Sequence, residues 1–422
     1  MSITGIKGMN DILPDAVATW QYIEANAHRI FKSFGFTEIR VPVVEKTELF
    51  CRSIGETTDI VEKEMYTFND RSDNSLTLRP EGTASVMRSL IQHKLYNLDP
   101  IQKLYYFGPM FRYERPQKGR YRQFHQIGAE VIGVDDPKID AQVLAMLSHF
   151  FREIGVTDVE LQINSLGCPE CRPAYRDTLI AFLEKKLDEL CEDCKRRYTT
   201  NPLRALDCKS EGCKVATAQA PDMIDHLCAG CSEHFDAVKR HLDSIVVPYV
   251  INPRMVRGLD YYTKTTFEMV TGSLGAQNAV AAGGRYDGLV KELGGPELPG
   301  IGFAMGVERL ALLLQNSDAV SAGSPDLFIA ALGEPAVDEC FRILTNLQRG
   351  DIRAEMDYSG KSLKAQMRRA DKLQARYSLV IGEDEIGRGK AQLRDMTDGT
   401  QEEIGLDNIQ STLVQRLAGQ RK

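Results

Sequence analysis

The chain has 422 residues, 43% hydrophobic and 26% charged, enough for two or three buried cores and typical of a folded globular protein. A formal net charge of −7 argues against a protein that coats nucleic acid nonspecifically, though not against one with a local basic surface. No apolar run reaches the ~20 residues that span a bilayer. The opening MSITGIKGMNDILP has no apolar signal core and no small-residue cleavage site, so a cytoplasmic enzyme is expected.

Residues 15–34 place Val17, Trp20, Ile23, Ala27, Ile30, Phe31 and Phe34 at helical intervals, which predicts an amphipathic helix. Phe36 to Val44 then alternates as a strand would, although Pro42 suits an edge or a bend. Short strands are expected at Glu64–Phe68, Leu76–Arg79, Lys103–Arg112 and Gln123–Val134. Polar Asn69–Asp73 splits the first two and the basic loop Arg115–Arg122 the last two, a pattern that predicts an antiparallel sheet. Asp140–Ile154 reads as helix and Val159–Asn164 as strand. From about 168 to 245 the pattern turns helix-rich, as an inserted domain would. Strands return at Val246–Asn252 and Thr265–Val270; Gly283 and Gly284 then precede a helical run from Arg285, and a glycine-rich strand and helix fill Ile301–Leu314.

Ser317–Pro325 has the composition of a linker. Beyond it, Leu327–Leu332, a helix near Pro335–Arg349, Arg353–Asp357, a basic helix and Tyr377–Ile381 alternate, which predicts a small α/β domain with a mostly parallel sheet. Lys361, Lys364, Arg368, Arg369, Lys372 and Arg376 fall within sixteen residues, opposed there only by Asp371. Taken alone, that run reads as a solvated helix face.

Eight of the ten cysteines lie between Cys168 and Cys231 as four close pairs: Cys168-x2-Cys171, Cys191-x2-Cys194, Cys208-x4-Cys213 and Cys228-x2-Cys231. Cytoplasmic thiols stay reduced, so this spacing points to structural zinc before disulfide. Two tetrahedral sites, one site with spare thiols, and no site are all compatible with it.

Three separated segments need one explanation. They are Gly35-Phe36 leading to Pro42; Phe111-Arg112-Tyr113-Glu114 with its basic loop and Phe124; and Gly302-Phe303-Ala304-Met305-Gly306-Val307-Glu308-Arg309-Leu310. Alone, an Arg/Glu pair is usually a surface ion pair, and a glycine-rich strand often just packs closely. In this order and spacing, the set resembles motifs 1, 2 and 3 of class II aminoacyl-tRNA synthetases. Leu78-Arg79-Pro80-Glu81-Gly82-Thr83, Gln123-Phe124-His125-Gln126-Ile127-Gly128-Ala129-Glu130, Arg257-Gly258-Leu259-Asp260-Tyr261-Tyr262 and Gly283-Gly284-Arg285-Tyr286-Asp287-Gly288-Leu289 resemble the signature peptides of histidyl-tRNA synthetases. The resemblance runs from about residue 3 to 400.

It implies an enzyme that uses ATP with Mg2+ to activate L-histidine and then esterifies it to the 3′ end of tRNA(His). Adenylate formation gathers negative charge on the α-phosphate and expels pyrophosphate, work suited to fixed, bidentate guanidinium groups. By motif, Arg112 would hold the α-phosphate and Arg309 and Arg120 the γ-phosphate. Glu114 would accept from the adenine amino group, and Phe124 would stack on the ring. Glu81, Thr83 and Gln126 would receive the α-ammonium, with Gly82 in the same peptide. Glu130 and Tyr262 would read the imidazole nitrogens, and Tyr261 would wall the pocket, because a polar ligand leaves no buried group unpaired.

Arg257 would bridge the carboxylate and the α-phosphate, where many class II enzymes place a metal ion; a structural ion pair with Asp260 is the competing reading. Arg112, Arg257 and Arg309 are thus the expected catalytic groups. His125 is expected to orient the sheet or loop rather than move protons. At the tRNA acceptor end, Arg115 and Gln117 would read base edges and Lys118 would meet a phosphate.

The implied fold is α/β. An α+β catalytic domain, with a six- to seven-stranded, mostly antiparallel sheet, occupies 1–167 (motifs 1 and 2) and 246–318 (signature peptides and motif 3). A helix-rich cysteine insertion fills 168–245, its zinc structural since the chemistry needs none. An anticodon-binding α/β domain at 325–422 would use the basic helix. Motif 1 belongs to a dimer interface in this class, so a homodimer without a membrane partner is expected. The competing function is a synthetase-like regulatory subunit of ATP phosphoribosyltransferase, which binds histidine without aminoacylation. Retention of Arg112, Arg257 and Arg309, and the residues beyond 325, speak against it.

Overall fold

The computed structural model describes residues 3–55, 58–257, 259, 261–275, 278–315 and 323–418. Gly258 and Asp260 of the signature peptide, and most of the expected linker, lie outside the described residues. The chain divides into two compact units between residues 321 and 322.

In the first unit an eight-stranded sheet runs in the order Thr37–Glu38, Gln102–Phe111, Gln123–Ile132, Gly300–Gly306, Ala279–Arg285, Thr263–Val270, Glu160–Ser165, Val250–Ile251. The six central strands are antiparallel to their neighbours, and each end strand is parallel to the next. The expected six to seven strands become eight because two-residue strands close both edges.

Alternation along the strands separates two faces. Ile127, Ala129 and Val131, with Ile301, Phe303 and Met305, join Tyr105 in a core with Trp20, Ile23, Ile30, Phe31, Leu144 and Phe150. The helices contributing these residues are Pro14–Ser33, opened by a proline where its missing N–H costs nothing, and Pro137–Glu153, whose Asp136 caps Lys138 N at 2.8 Å. The opposite face carries Gln126, Gly128 and Glu130, in register with Gly306, Ala304 and Gly302. There Tyr106, Tyr261, Tyr262 and Tyr286 form a second core with Met87 and Leu90 of the helix Thr83–Gln92.

Three local expectations are corrected. The strand expected over Phe36–Val44 is interrupted, because the carbonyls of Val41 and Pro42 accept from the Arg79 guanidinium at 3.0 and 3.4 Å instead of a neighbouring strand. Val246–Asn252 pairs only at Val250–Ile251; Val246 takes φ 56° and Pro248 has no N–H to give. Arg285 ends a strand rather than opening a helix, its side chain fully buried on Asp140 at 2.9 and 3.0 Å; helix begins only at Leu289–Glu292.

The cysteine-bearing stretch consists of the helices Arg172–Glu184, Glu192–Arg197, Leu203–Leu206, Glu211–Thr217 and Ala229–Ser244 with short 3-10 turns. The last helix packs Phe235, Val238 and Leu242 into the main core.

In the second unit five strands run Ala354–Met356, Leu327–Leu332, Tyr377–Gly382, Lys390–Asp395, Gln401–Gly405. The first three are parallel and the last two antiparallel, so the sheet is mixed rather than mostly parallel. The antiparallel pair is polar in sequence, KAQLRD and QEEIG, and only Ala391, Leu393 and Ile404 are buried in it. The basic helix spans Leu363–Lys372; Lys364, Arg368 and Lys372 are exposed, while Arg369 reaches Asp357 at 3.5 Å.

Candidate active site

A cavity of about 420 Å³ opens on the tyrosine face of the large sheet. Glu130 sits behind its floor, fully buried, accepting from Thr83 Oγ1 at 2.7 Å, Tyr286 OH at 2.5 Å and Tyr106 OH at 3.4 Å. Burial pushes its carboxyl up to about 8 despite these donors. The space is made by glycines: a Cβ at Gly302 would strike the Glu130 carboxylate, and one at Gly82 or Gly128 would strike the Tyr106 ring. Gly82 therefore acts by yielding room. Glu81 accepts from Thr83 N at 2.6 Å and Ala84 N at 2.9 Å, closing the start of the Thr83–Gln92 helix.

Tyr261 and Tyr262 form the side wall, ring centroids 4.7 Å apart, with Tyr286 5.8 Å from Tyr261. Arg257 pairs with Glu268 and lies 5.3 Å over the Tyr262 ring. Its Nε, and Oε1 of Gln126, are buried without a hydrogen-bond partner. Such atoms are costly to leave unmet. Both residues line the cavity, so both are positioned to meet a polar ligand.

Arg112 donates to Pro80 O at 2.9 Å and lies 5.3 Å over the Phe124 ring. Arg120 pairs with Glu114 and approaches Glu64 at 3.9 Å. The expected adenine acceptor and γ-phosphate ligand are thus paired with one another here. Arg309 donates to Gly119 O at 3.3 Å and to Ala279 O, which ties motif 3 to the motif 2 loop. All of Arg112, Arg120, Arg257 and Arg309 line the one cavity, with Glu81, Thr83, Glu114, Phe124, Gln126, Tyr261 and Tyr262. Four guanidinium groups around one cavity make a site for a polyanion.

Arg115, Gln117 and Lys118 are exposed and do not line it; Gln117 and Arg120 exchange backbone hydrogen bonds at 3.0 and 2.9 Å, turning the loop at Gly119. His125 is fixed by Glu308, at 2.9 and 3.0 Å to its amide and 3.1 Å to its ring, and lies against Trp20 and Phe107.

Site residues that escape the sequence reading include Glu268, which pairs with Arg257 and lines the cavity. Tyr106 and Tyr286 donate to Glu130, and Asp207 and Lys209, from the cysteine-bearing stretch, line the cavity. Tyr286 stands in a signature peptide and could have been found there; nothing in the sequence marks the others.

The eight clustered thiols separate into two quartets, Cys168, Cys171, Cys228 and Cys231, and Cys191, Cys194, Cys208 and Cys213, the sulfurs of each within 4.8 Å of one another. Neighbouring Sγ atoms stand 3.7 Å (168–171), 3.8 Å (168–228), 3.9 Å (171–231) and 3.8 Å (191–208) apart. A zinc tetrahedron with Zn–S of about 2.3 Å has an S···S edge of about 3.8 Å, whereas a disulfide needs about 2.05 Å. The thiols fit a metal and not a bridge. Among the described residues, no helix is long and apolar enough to cross a membrane.

The family described as Histidyl-tRNA synthetase matches residues 8–310, and the Anticodon binding domain matches residues 326–416. The histidine--tRNA ligase of Syntrophotalea carbinolica is 68% identical over 419 residues, 99% of this chain and 100% of the relative. That of Geobacter sulfurreducens is 69% identical over 404 residues, 96% and 97% of the two chains. Among solved structures, the apo S. aureus histidyl-tRNA synthetase superposes with a TM-score of 0.82 at 38% identity, covering 98% of this chain and all of that one. With the cavity, the signature peptides and these full-length likenesses in agreement, the chain belongs to the histidyl-tRNA synthetase family.

Proposed function

We propose that this chain is the enzyme that activates L-histidine with ATP and transfers it to the 3′ end of tRNA(His). The observation that carries this reading is one cavity lined by four guanidinium groups, backed by the buried Glu130 carboxyl, and bearing the unpartnered Gln126 Oε1 and Arg257 Nε. Full-length identity to histidine--tRNA ligases and a matched anticodon-binding unit support it over the regulatory-subunit alternative.

Within this reading, Glu81, Thr83 and Gln126 receive the α-ammonium. Glu130, its carboxyl held by three hydroxyls, and Tyr262 take the imidazole nitrogens, and Tyr261 closes the wall. Arg112 holds the α-phosphate, and Arg120 and Arg309 the γ-phosphate. Glu114 and Phe124 receive adenine, which requires Glu114 to leave Arg120 and Arg112 to turn from the Phe124 face as the nucleotide enters. Arg257 lies between carboxylate and α-phosphate, countering their repulsion with a charge that does not titrate near neutral pH. Glu268, on the same cavity and paired with Arg257, would offer an oxygen ligand to the Mg2+ carried by the phosphates of ATP, a hard cation that would offset their charge.

The first unit is the catalytic domain, 1–167 and 246–318, interrupted by the insertion at 168–245; residues 325–422 bind the anticodon arm through the basic helix. Arg115, Gln117 and Lys118 meet the acceptor end. Zinc in the insertion is structural. A homodimer forms through motif 1, beside which a three-stranded sheet of Val44–Lys46, Ser75–Leu78 and Tyr66–Asn69 exposes Val44 and Phe68. The enzyme works in the cytoplasm. Charging of total tRNA with each of the twenty amino acids tests the reading: histidine alone should be esterified, and absence of histidyl-tRNA would refute it.

A further inference from the structure

The second thiol quartet and the catalytic cavity share one turn of chain. Leu203 and Leu206, on a single helical turn, pack both against the insertion core with Cys194 and Cys213 and against the wall with Tyr261, Tyr262 and Tyr286. The next three residues are Asp207, Cys208 and Lys209. Asp207 and Lys209 line the cavity, and between them Cys208 places its sulfur 3.8 Å from that of Cys191. Asp207 is half exposed, lies 3.5 Å from Arg204, and is in the field of Arg257. One helical turn does not hold itself in water. Leu203, Ala205 and Leu206 pack this turn against its neighbours, and the thiol quartet adjoins it directly through Cys208.

We propose that Cys191, Cys194, Cys208 and Cys213 form a tetrathiolate metal site that serves the active site: the ion fixes the Asp207–Lys209 turn, and the Lys209 ammonium so held is a ligand for a phosphate. The inference rests on the histidine-activation reading and adds an element to its site. Four thiolates select a soft or borderline ion such as Zn2+ over Mg2+, and its binding contributes directly to local folding. Lysine recognises phosphate as a point charge, which tolerates a position at a cavity edge better than a guanidinium fork does. Two phosphates can meet Lys209, those of ATP and that of the terminal nucleotide of tRNA.

The test uses full-length protein. Elemental analysis should find one zinc per quartet, and Co2+ substitution should give the absorption of tetrahedral thiolate coordination. Cys194→Ser, at a buried ligand that does not line the cavity, should lose one ion, expose residues 203–213 to protease and lower histidine-dependent ATP–pyrophosphate exchange about tenfold or more. Lys209→Ala should keep full metal content and fold. If it lowers exchange about tenfold, the phosphate is that of ATP; if it spares exchange and slows transfer from preformed adenylate to tRNA about tenfold, the phosphate is that of the tRNA end. Normal rates in both arms for Lys209→Ala would overturn the proposal, and that variant decides even if Cys194→Ser does not fold. Absence of metal and of the cobalt spectrum from a protein with normal histidine-dependent exchange would also overturn it, leaving the activation reading intact. Absence of exchange in the unmodified protein would count against the reading itself.

Discussion

At the cavity floor a carboxylate is buried among hydroxyl donors that come from distant parts of the chain, Thr83, Tyr106 and Tyr286. In the insertion, by contrast, the buried groups are thiols paired a few residues apart, packed with a small set of leucines and alanines around Tyr175. The floor is preorganised by sheet register: Glu130 opposite Gly302 on one side and Leu104 on the other. The insertion lacks such a sheet. Its short helices are drawn together at the quartets, so its order depends on what the sulfurs bind. The sheet-built floor should keep its fold on loss of an ion that unfolds the thiol-built insertion.

The largest effect that would break this comparison lies at Arg257. Its Glu268 partner and buried, unmet Nε mark it as held in place before the ligand arrives. Arg257→Ala should slow single-turnover adenylate formation by ~10²–10³ with much less change in ATP affinity, as loss of a transition-state donor does. Arg257→Lys should recover little. A near-normal rate with weaker ATP binding would make Arg257 a ground-state ligand.

Glu130 sharpens the comparison from the floor. Glu130→Gln should weaken histidine activation by ~10² while the fold persists, since the ring loses a carboxyl that can take its proton, which an amide cannot; an unchanged histidine dependence would remove the assignment. The same variant reports on burial. With its carboxyl pushed up to about 8 from 4.5, Glu130 binds its proton more tightly folded than unfolded. Its stabilising contribution is full below about pH 4.5 and is lost as pH rises through 8. Denaturant unfolding without ligands should therefore show Glu130→Gln gaining on the parent protein, by a few kcal/mol, between pH 5 and pH 9. A pH-independent difference would show that the floor carries no such penalty.

For the second unit, deletion after about residue 325 should leave pyrophosphate exchange largely intact and lower tRNA charging by ~10², as losing one of two linked contact surfaces does. Equal charging by a folded truncation would remove the anticodon assignment. The smallest effect is expected from chelation: residues 168–231 should become protease-sensitive before the large sheet loosens. Simultaneous loss of both would make the insertion and the sheet one cooperative body.

Much of the cavity was legible because its chemistry sits in contiguous peptides. Arg112 with Glu114, Gln126 with Glu130, and Tyr261 with Tyr262 are each close in sequence, and strand alternation alone puts Gln126 and Glu130 on one face. What was missed depends on folding back across long separations. Tyr106 meets Glu130 only through strand register, and Asp207 reaches the cavity that Arg257 lines only because the insertion returns to the sheet. Two-residue edge strands and the polar strands Lys390–Asp395 and Gln401–Gly405 have too few apolar positions to show a period. Arg79 reads as part of a signature peptide, yet its guanidinium satisfies the carbonyls of Val41, Pro42 and Pro109, a role no local pattern announces.

The most direct test of the central claim, that one preformed cavity joins histidine to ATP, is ATP–pyrophosphate exchange without tRNA, with each amino acid in turn. Exchange should require histidine, be negligible with the other nineteen, and collapse in Arg257→Ala. Exchange driven equally well by another amino acid, or none with histidine, would contradict the account.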